Sequence, residues 1–545
     1  MRIRTILVFI IFIFFISCTK KVYNSIANYE LLNKKLPLTE SQKKIWQNLD
    51  IGKDTIFGVS LNIAYKKFAE NKKQNEIIIA VLDTEFDIEH EAIKKHVWFN
   101  TKEISNNNID DDKNGYVDDI NGWNFVGNNK GESIINSSYE CSRILRYYKN
   151  LVILNKLDSL LFKKATVLQN EIDKKYLQQK ERIDFYKSVF PRCYKTARKF
   201  FPKGNYSGSQ IDSLYKLYEK KGDKNLYHDL YLLNELKKSN LDSTWVSESI
   251  KTFDYDSKTI YNENYNEKEI TKDDGFNIID SIYGSNNVSK YAKKTWHGTQ
   301  VAGLIATTIK NTNIKIMPIV LSGIEGEDND KDILIAIKYA VNNGAKVINM
   351  SSGKHISLHP EWLKEALLYT QKNDVLVITS AGNSAKNIDI EPRYFLDYDE
   401  NTGNEFCKNL IKVGGSSSSL NENLPYSYTN YGKSNVDIFA PSTELHVPDA
   451  VDGYTFSSGT SLGCSITAGA AALIRSHYPK LTASQVKKII LDSGTAYDLD
   501  VIVPGTKDKK VKFSELSKSG KVLNVYNAMK MAEELSRKKI KNKKF

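Results

Sequence analysis

Hydrophobic side chains follow two rhythms along this chain. From Ile77 to Leu82 every position is aliphatic, and the run ends at Asp83-Thr84. An unbroken apolar stretch of this length predicts a strand buried on both faces, as in a parallel sheet. Similar short runs predict strands at 315–321, 345–350, 375–379, 410–413 and 436–439. Apolar residues spaced by three and four predict helices at 330–341, 360–372, 461–478, 483–493 and 523–535. Strands alternating with helices specify an α/β fold: a doubly wound, mostly parallel sheet with helices on both faces. Such sheets place their chemistry at the carboxyl ends of strands.

Between residues 130 and 290 the pattern changes. Leu157, Leu161, Ala165, Leu168 and Ile172 recur at spacings of four and three, as do Leu226, Leu230 and Leu233. These stripes predict a largely helical insertion whose apolar faces pack as core rather than hold a cofactor. The chain then divides into a leader (1–17), an N-terminal segment (18–75), the α/β core in two parts (76–129 and 291–535), the insertion (130–290) and a basic tail (536–545). Within the N-terminal segment, the apolar scatter from Trp46 to Phe68 predicts ordered structure.

The leader has Arg2 and Arg4 followed by an apolar run from Ile6 to Ile16. It is short for a membrane span and fits a secretory signal. Its end, Ser17-Cys18, resembles the lipobox of bacterial lipoproteins, with Phe15 where Leu is usual. That resemblance implies lipid on Cys18 and an exported protein anchored to a bacterial membrane, most simply the outer membrane. The alternative is an ordinary signal peptide with a chance cysteine.

Net charge is +12, but the last ten residues alone carry six basic and no acidic side chains. The body is therefore far less basic than the total, and a nucleic-acid partner is not expected. Cys141, Cys193, Cys407 and Cys464 show no Cys-x-x-Cys spacing, which argues against zinc. A Cys141–Cys193 disulfide stays open on sequence grounds.

An acidic loop follows at Asp110–Asp119. Oxygen side chains at alternate positions, with Gly115 sixth, match the start of a calcium-binding loop. Asp110, Asp112, Asn114, Asp118 and the Tyr116 carbonyl are the expected ligands. Asn121 stands twelfth, where a bidentate Glu completes such loops, so affinity should be weak. The alternative is a solvated acidic turn.

Three residues stand at element ends in chain order. Asp83 closes the first core strand. His297 opens His297-Gly298-Thr299-Gln300-Val301-Ala302-Gly303, a small-residue helix. Ser461 lies in Gly459-Thr460-Ser461, where a turn feeds the helix that begins there. A serine hydroxyl needs a base to become a nucleophile, and histidine titrates near neutral pH. The histidine in turn needs a carboxylate to fix its tautomer and stabilise its cation. Taken singly, each residue is more simply a cap or packing group.

Together these motifs resemble the subtilisin-like serine proteases, or subtilases. Ala80-Val81-Leu82-Asp83-Thr84 is similar to the family's Asp motif, and the His297 and Ser461 segments to its other two. Ala381-Gly382-Asn383 is similar to the segment that supplies the oxyanion-hole Asn. Ile348-Asn349-Met350-Ser351-Ser352-Gly353 is similar to the strand that pairs with substrate backbone, and Asn430-Tyr431-Gly432 and Phe439-Ala440-Pro441 also fit. The resemblance implies a serine endopeptidase acting on polypeptides, with catalytic Asp83, His297, Ser461 and Asn383, and substrate-binding Ser351, Ser352, Gly353, Ala381 and Gly382. It implies no organic cofactor. With the insertion and acidic loop, the pattern looks like lipoprotein-type subtilases of Gram-negative bacteria. Glu85 replaces the Gly usual after Asp-Thr, and Leu462-Gly463-Cys464-Ser465 lacks the usual Pro after the nucleophile. These departures motivate a rival reading, an inactive lipoprotein of this fold that binds extended chains by strand addition. A weaker one is an esterase. Residues 19–75 are short for an inhibitory pro-domain.

Overall fold

The computed structural model describes residues 38–69, 74–149, 155–239, 242–310, 312–400, 402–451 and 453–541. The leader, Cys18 and the end of the basic tail lie outside them. The architecture is a nine-stranded sheet with helices on both faces. In chain order its strands are β1 (Ile77–Asp83), β2 (Trp123–Asn124), β3 (Ile314–Val320), β4 (Val347–Met350), β5 (Leu376–Ser380), β6 (Leu410–Ser416), β7 (Ile438–Pro441), β10 (Thr495–Ala496) and β13 (Lys521–Val522). Two small antiparallel pairs stand apart: β8 (Leu445–Pro448) with β9 (Tyr454–Ser457), and β11 (Asp500–Ile502) with β12 (Lys510–Lys512). The sheet order is β10-β13-β7-β6-β5-β4-β1-β3-β2, parallel throughout except where β10 meets β13.

The apolar run at 77–82 serves two cores at once. Ile77, Ile79 and Val81 face one, with Ile314, Ile316, Val347, Leu376 and Ile378. Ala80 and Leu82 face the other, with Met317, Ile319, Ile348, Met350 and Val377. Alternation within a continuous apolar strand is what burial on both faces demands.

The helical region after β2 carries α1 (Glu140–Lys149), α2 (Lys156–Phe200), α3 (Gly208–Lys221), α4 (Lys224–Lys238) and α5 (Ser243–Asp256). The core helices follow: α6 (His297–Ile309), α7 (Asp330–Asn342), α8 (Pro360–Lys372), α9 (Thr460–His477), α10 (Ala483–Ser493) and α11 (Val525–Lys541). Helices α6 and α9 cover the first face and α7 and α8 the second. Residues Trp46 to Phe68 join the first core, where Phe57 meets Tyr497 edge-on at 5.4 Å.

The stretch before His297 differs from the sequence expectation. Helix ends at Asp256, and 257–296 is turns with one short helix, Lys268–Thr271. Part of this stretch packs on the sheet: Ser285 bridges to Asn124, and the Trp123 indole donates to the Tyr283 carbonyl at 2.8 Å. On α2, Ala165 and Ile172 are buried, but Leu157 is 75% exposed. Cys141 and Cys193 are both free thiols, buried in separate clusters. The disulfide left open by sequence is therefore absent.

Candidate active site

Asp83 is the last residue of β1 and is buried. Its Oδ1 accepts the Thr84 N–H at 2.8 Å and lies 2.6 Å from His297 Nδ1. These partners are 214 positions apart in sequence, and close packing brings them together. A Cβ on Gly298 would lie 2.3 Å from the Thr84 carbonyl oxygen, so only glycine lets α6 approach the end of β1 this closely. The Thr84 hydroxyl completes the latch, donating to the Thr295 carbonyl and accepting the Gly298 N–H at 2.8 Å.

The His297 side chain is 27% exposed, enough to meet a substrate. Desolvation alone would lower its pKa. The Asp83 anion and its hydrogen bond, helped by Asp328, outweigh that and raise it above the ordinary histidine value. Asp328 is buried beside the pair and accepts the Ser352 hydroxyl. Glu85, the residue in place of the family's Gly, is not a member of this group. It is buried, accepts the Tyr291 N–H and braces the turn before α6; burial raises its pKa.

Ser461 is the second residue of α9, where the first N–H groups have no acceptor within the helix. Its hydroxyl donates to the Ser351 carbonyl at 3.2 Å. Among the described residues it makes no hydrogen bond to His297. Asn383 lies alongside: its Oδ1 accepts the Thr460 N–H at 2.9 Å and the Thr460 hydroxyl at 3.0 Å. That fixes the amide and leaves its NH2 group to serve the cleft, next to Gly459. Gly382 holds φ at +102°, a conformation open to glycine, and donates to the Thr460 hydroxyl at 3.1 Å.

The cleft walls follow β4 and β5. Ser351 is buried, its carbonyl also accepting the Ser380 hydroxyl at 3.1 Å, and the Ser352 carbonyl accepts the Thr379 hydroxyl at 3.0 Å. Gly353 and Ala381 continue the two walls. Where the family has Pro after the nucleophile, α9 runs on unbroken, and the Ser465 hydroxyl caps the Ser461 carbonyl at 2.9 Å.

A sequence profile described as the subtilase family matches residues 74–515, more than half of the chain. The chain belongs to the subtilase family. Among similar proteins, the thermophilic serine proteinase of Bacillus sp. (strain AK1) is 29% identical over 210 residues, covering 37% of this chain and 46% of that protein. Subtilisin DY of Bacillus licheniformis is 30% identical over 207 residues, covering 36% and 70%. This subtilase thus spans less than half the length of the first. The solved subtilase cytotoxin SubAB assembly matches at 21% identity over 46% of this chain and 81% of that one, with a TM-score of 0.38.

The acidic loop assembles differently from the expectation. Glu103, Asp110 and Asp112 bring carboxylate oxygens within 4.8 Å of one another. Asp118 instead turns to the Asn107 and Asn108 N–H groups, at 3.2 and 2.9 Å, and Asn114 Oδ1 accepts the Tyr116 N–H. The Tyr116 ring packs among Trp123, Phe125 and Tyr339. Glu103 escaped the sequence reading because it lies outside the alternating pattern. Asp328 escaped because nothing separates it from the other acids of Glu325–Asp332.

The helical region reaches the cleft as well. Arg143 of α1 is buried, pairs with Glu140 at 3.0 Å and Glu267 at 2.6 Å, and donates to the Glu327 and Asp328 carbonyls at 2.6 and 3.2 Å. Lys354, next to Gly353, pairs with Glu140 at 3.3 Å and Asp330 at 2.5 Å. These helices brace the wall that carries Ser352 and Asp328.

Proposed function

We propose that this subtilase is a serine endopeptidase. Ser461 attacks the peptide carbonyl, His297 takes its proton and returns it to the leaving amine, and Asp83 holds the imidazole and stabilises its cation. Asn383 and the Ser461 N–H receive the oxyanion. The 2.6 Å Asp83–His297 contact at the mouth of α6 is the observation that carries the reading. To meet His297 the Ser461 hydroxyl has to leave its bond to the Ser351 carbonyl, which a bound substrate pairing with that carbonyl would favour.

The decisive experiment is covalent labelling with a fluorophosphonate, followed by location of the adduct. Labelled Ser461 supports the peptidase. No adduct and no turnover, with peptides still bound, supports the rival binding lipoprotein, which the present Ser461–Ser351 hydrogen bond favours.

Cys18 carries lipid and places the protein on a bacterial membrane, most simply the outer one. A Cys18→Ala protein should become soluble or stay unprocessed. Residues 130–290 form an accessory unit between the two parts of the peptidase core. Glu103, Asp110 and Asp112 fit a divalent cation, because three carboxylates this close repel unless one neutralises them. Calcium there would hold the loop as structure. Chelation should lower the melting temperature, and an unchanged melt would remove the site from the account.

A further inference from the structure

The cleft walls extend beyond the oxyanion position. Strands β4 and β5 lie side by side, with Met350 opposite Thr379. The segments that follow them carry Gly353 and Gly382. Arg393 lies across both glycines. Its Nη2 donates to the Gly353 carbonyl at 2.6 Å. A Cβ on Gly353 would come within 2.9 Å of its Nε, and one on Gly382 within 2.7 Å of its Nη1. Glycine at both places leaves room for the guanidinium.

That guanidinium is incompletely met. Nε is buried with no hydrogen-bond partner, and among the described residues the guanidinium's hydrogen bond goes to a backbone carbonyl rather than a carboxylate. The acids whose field reaches it are Glu327 and Asp328. Each is engaged elsewhere: Glu327 accepts the Glu140 N–H at 2.8 Å, and Asp328 accepts the Ser352 hydroxyl. Burial pulls the Arg393 pKa below the usual arginine value, against the raising fields of those two acids. A desolvated cation with free planar donors is costly to maintain and binds a carboxylate strongly, often through two parallel hydrogen bonds.

For a substrate lying along Ser351–Gly353, with its scissile carbonyl at Asn383 and Ser461, the side chain on the acyl side of that carbonyl would point toward the guanidinium seated against Gly353 and Gly382. We propose that Arg393 is a specificity-determining residue that receives the carboxylate of an aspartyl or glutamyl side chain there. The enzyme then cleaves after acidic residues. The inference rests on the peptidase reading and deepens it.

Two measurements test it separately from that reading. In the first, the full chain carrying Ser461→Ala is titrated with a labelled alanine-rich peptide holding a single Glu, Leu or Lys, followed by fluorescence anisotropy. The Glu peptide should bind at least about tenfold tighter, because a site built for a carboxylate leaves its donors unpaired with the others. Adding Arg393→Gln should erase the difference, and Arg393→Lys should keep part of it. In the second, kcat/KM of the parent should favour Glu or Asp before the scissile bond by about a hundredfold over Leu. Arg393→Gln, checked for an unchanged melt, should remove that preference. Equal binding of the Leu or Lys peptide, or a preference that survives Arg393→Gln, overturns the proposal. Failure of Ser461 to label would instead strike the peptidase reading, with the binding arm still deciding Arg393.

Discussion

Replacing Arg143 with Met should reveal how far the cleft depends on the helices. Arg143 gives Glu267 two charge-assisted contacts, 2.8 Å from Nε and 2.6 Å from Nη2. Burial alone would raise the Glu267 pKa, but the Arg143 charge and the Ser138 hydroxyl draw it from 4.5 to about 2. A shift of that size corresponds to about 3 kcal/mol at about 1.4 kcal/mol per unit. A depressed carboxylate stabilises the fold above its unfolded pKa, so the contribution is whole above pH 4.5 and is lost as pH falls toward 2. Removing Arg143 also strands Glu140 beside Lys354 alone and takes the donor from the Glu327 carbonyl. Breaking a buried pair from one side costs about 3–5 kcal/mol. Urea denaturation at pH 7, followed by tryptophan fluorescence, should show that loss for Arg143→Met, shrinking on acidification below pH 4.5. Arg143→Met with Glu267→Gln should cost much less than the sum of the single changes, since no charge is then left stranded. Peptide hydrolysis should show a raised KM as the Glu327–Asp328 wall loosens. A cost below about 1 kcal/mol, or an additive double variant, would refute the reasoning.

The catalytic groups should contribute unequally. Ser461→Ala and His297→Ala should each lower kcat by about a millionfold, and the pair together little more. Asp83→Ala should be milder, and Asn383→Leu should cost about a hundred to a thousandfold in kcat with KM little changed; single-turnover hydrolysis checks both. The raised His297 pKa puts the acid limb of kcat/KM above pH 6.5, since the base must be neutral, and Asp83→Asn should move the limb to lower pH. Gly298→Ala should cost activity and several degrees of melting temperature, because its methyl meets the Thr84 carbonyl at 2.3 Å.

The alternating core and the site-bearing element ends were legible because burial on two faces writes itself as apolar runs, as at Ile77–Leu82. Residues whose roles come from distant packing were not. Arg393 and Asp328 lie in polar loops and acquire their places only when β4, β5 and the loop before α7 converge. Glu85 was legible as a departure from the family's Gly, but not its partner: its side chain serves Tyr291. The stripe on α2 foretold a helix but not which turns would be covered, so Ile172 was placed correctly and Leu157 was not. That the helical region joins the cleft wall through Arg143 and Glu140 was not legible either, because those pairs form only in the folded chain. Replacing all of 130–290 with a linker would take Glu140 from Lys354, leaving it Asp330, and take the Arg143 donors from the Glu327 and Asp328 carbonyls.

The long helix sets a distance as well as a fold. Its 45 residues rise about 67 Å, at about 1.5 Å each. Near its start, Ala165 and Ile172 pack with Ile356 and Leu358 beside the cleft; near its end, Phe190, Cys193 and Ala197 join a separate cluster with α3, α4 and α5. The chain returns along α5, antiparallel to α2, with Trp245 against Tyr186 and Phe253 stacked on Tyr176. The outlying cluster is thus carried on a twin-helix strut rather than tethered by loops. A residue inserted in one member alone would shear the strut. Matched insertions in both would swivel its head by about 100° and advance it by about 1.5 Å per residue. Orientation and reach of that head are therefore coupled, adjustable in steps while the catalytic half keeps its shape.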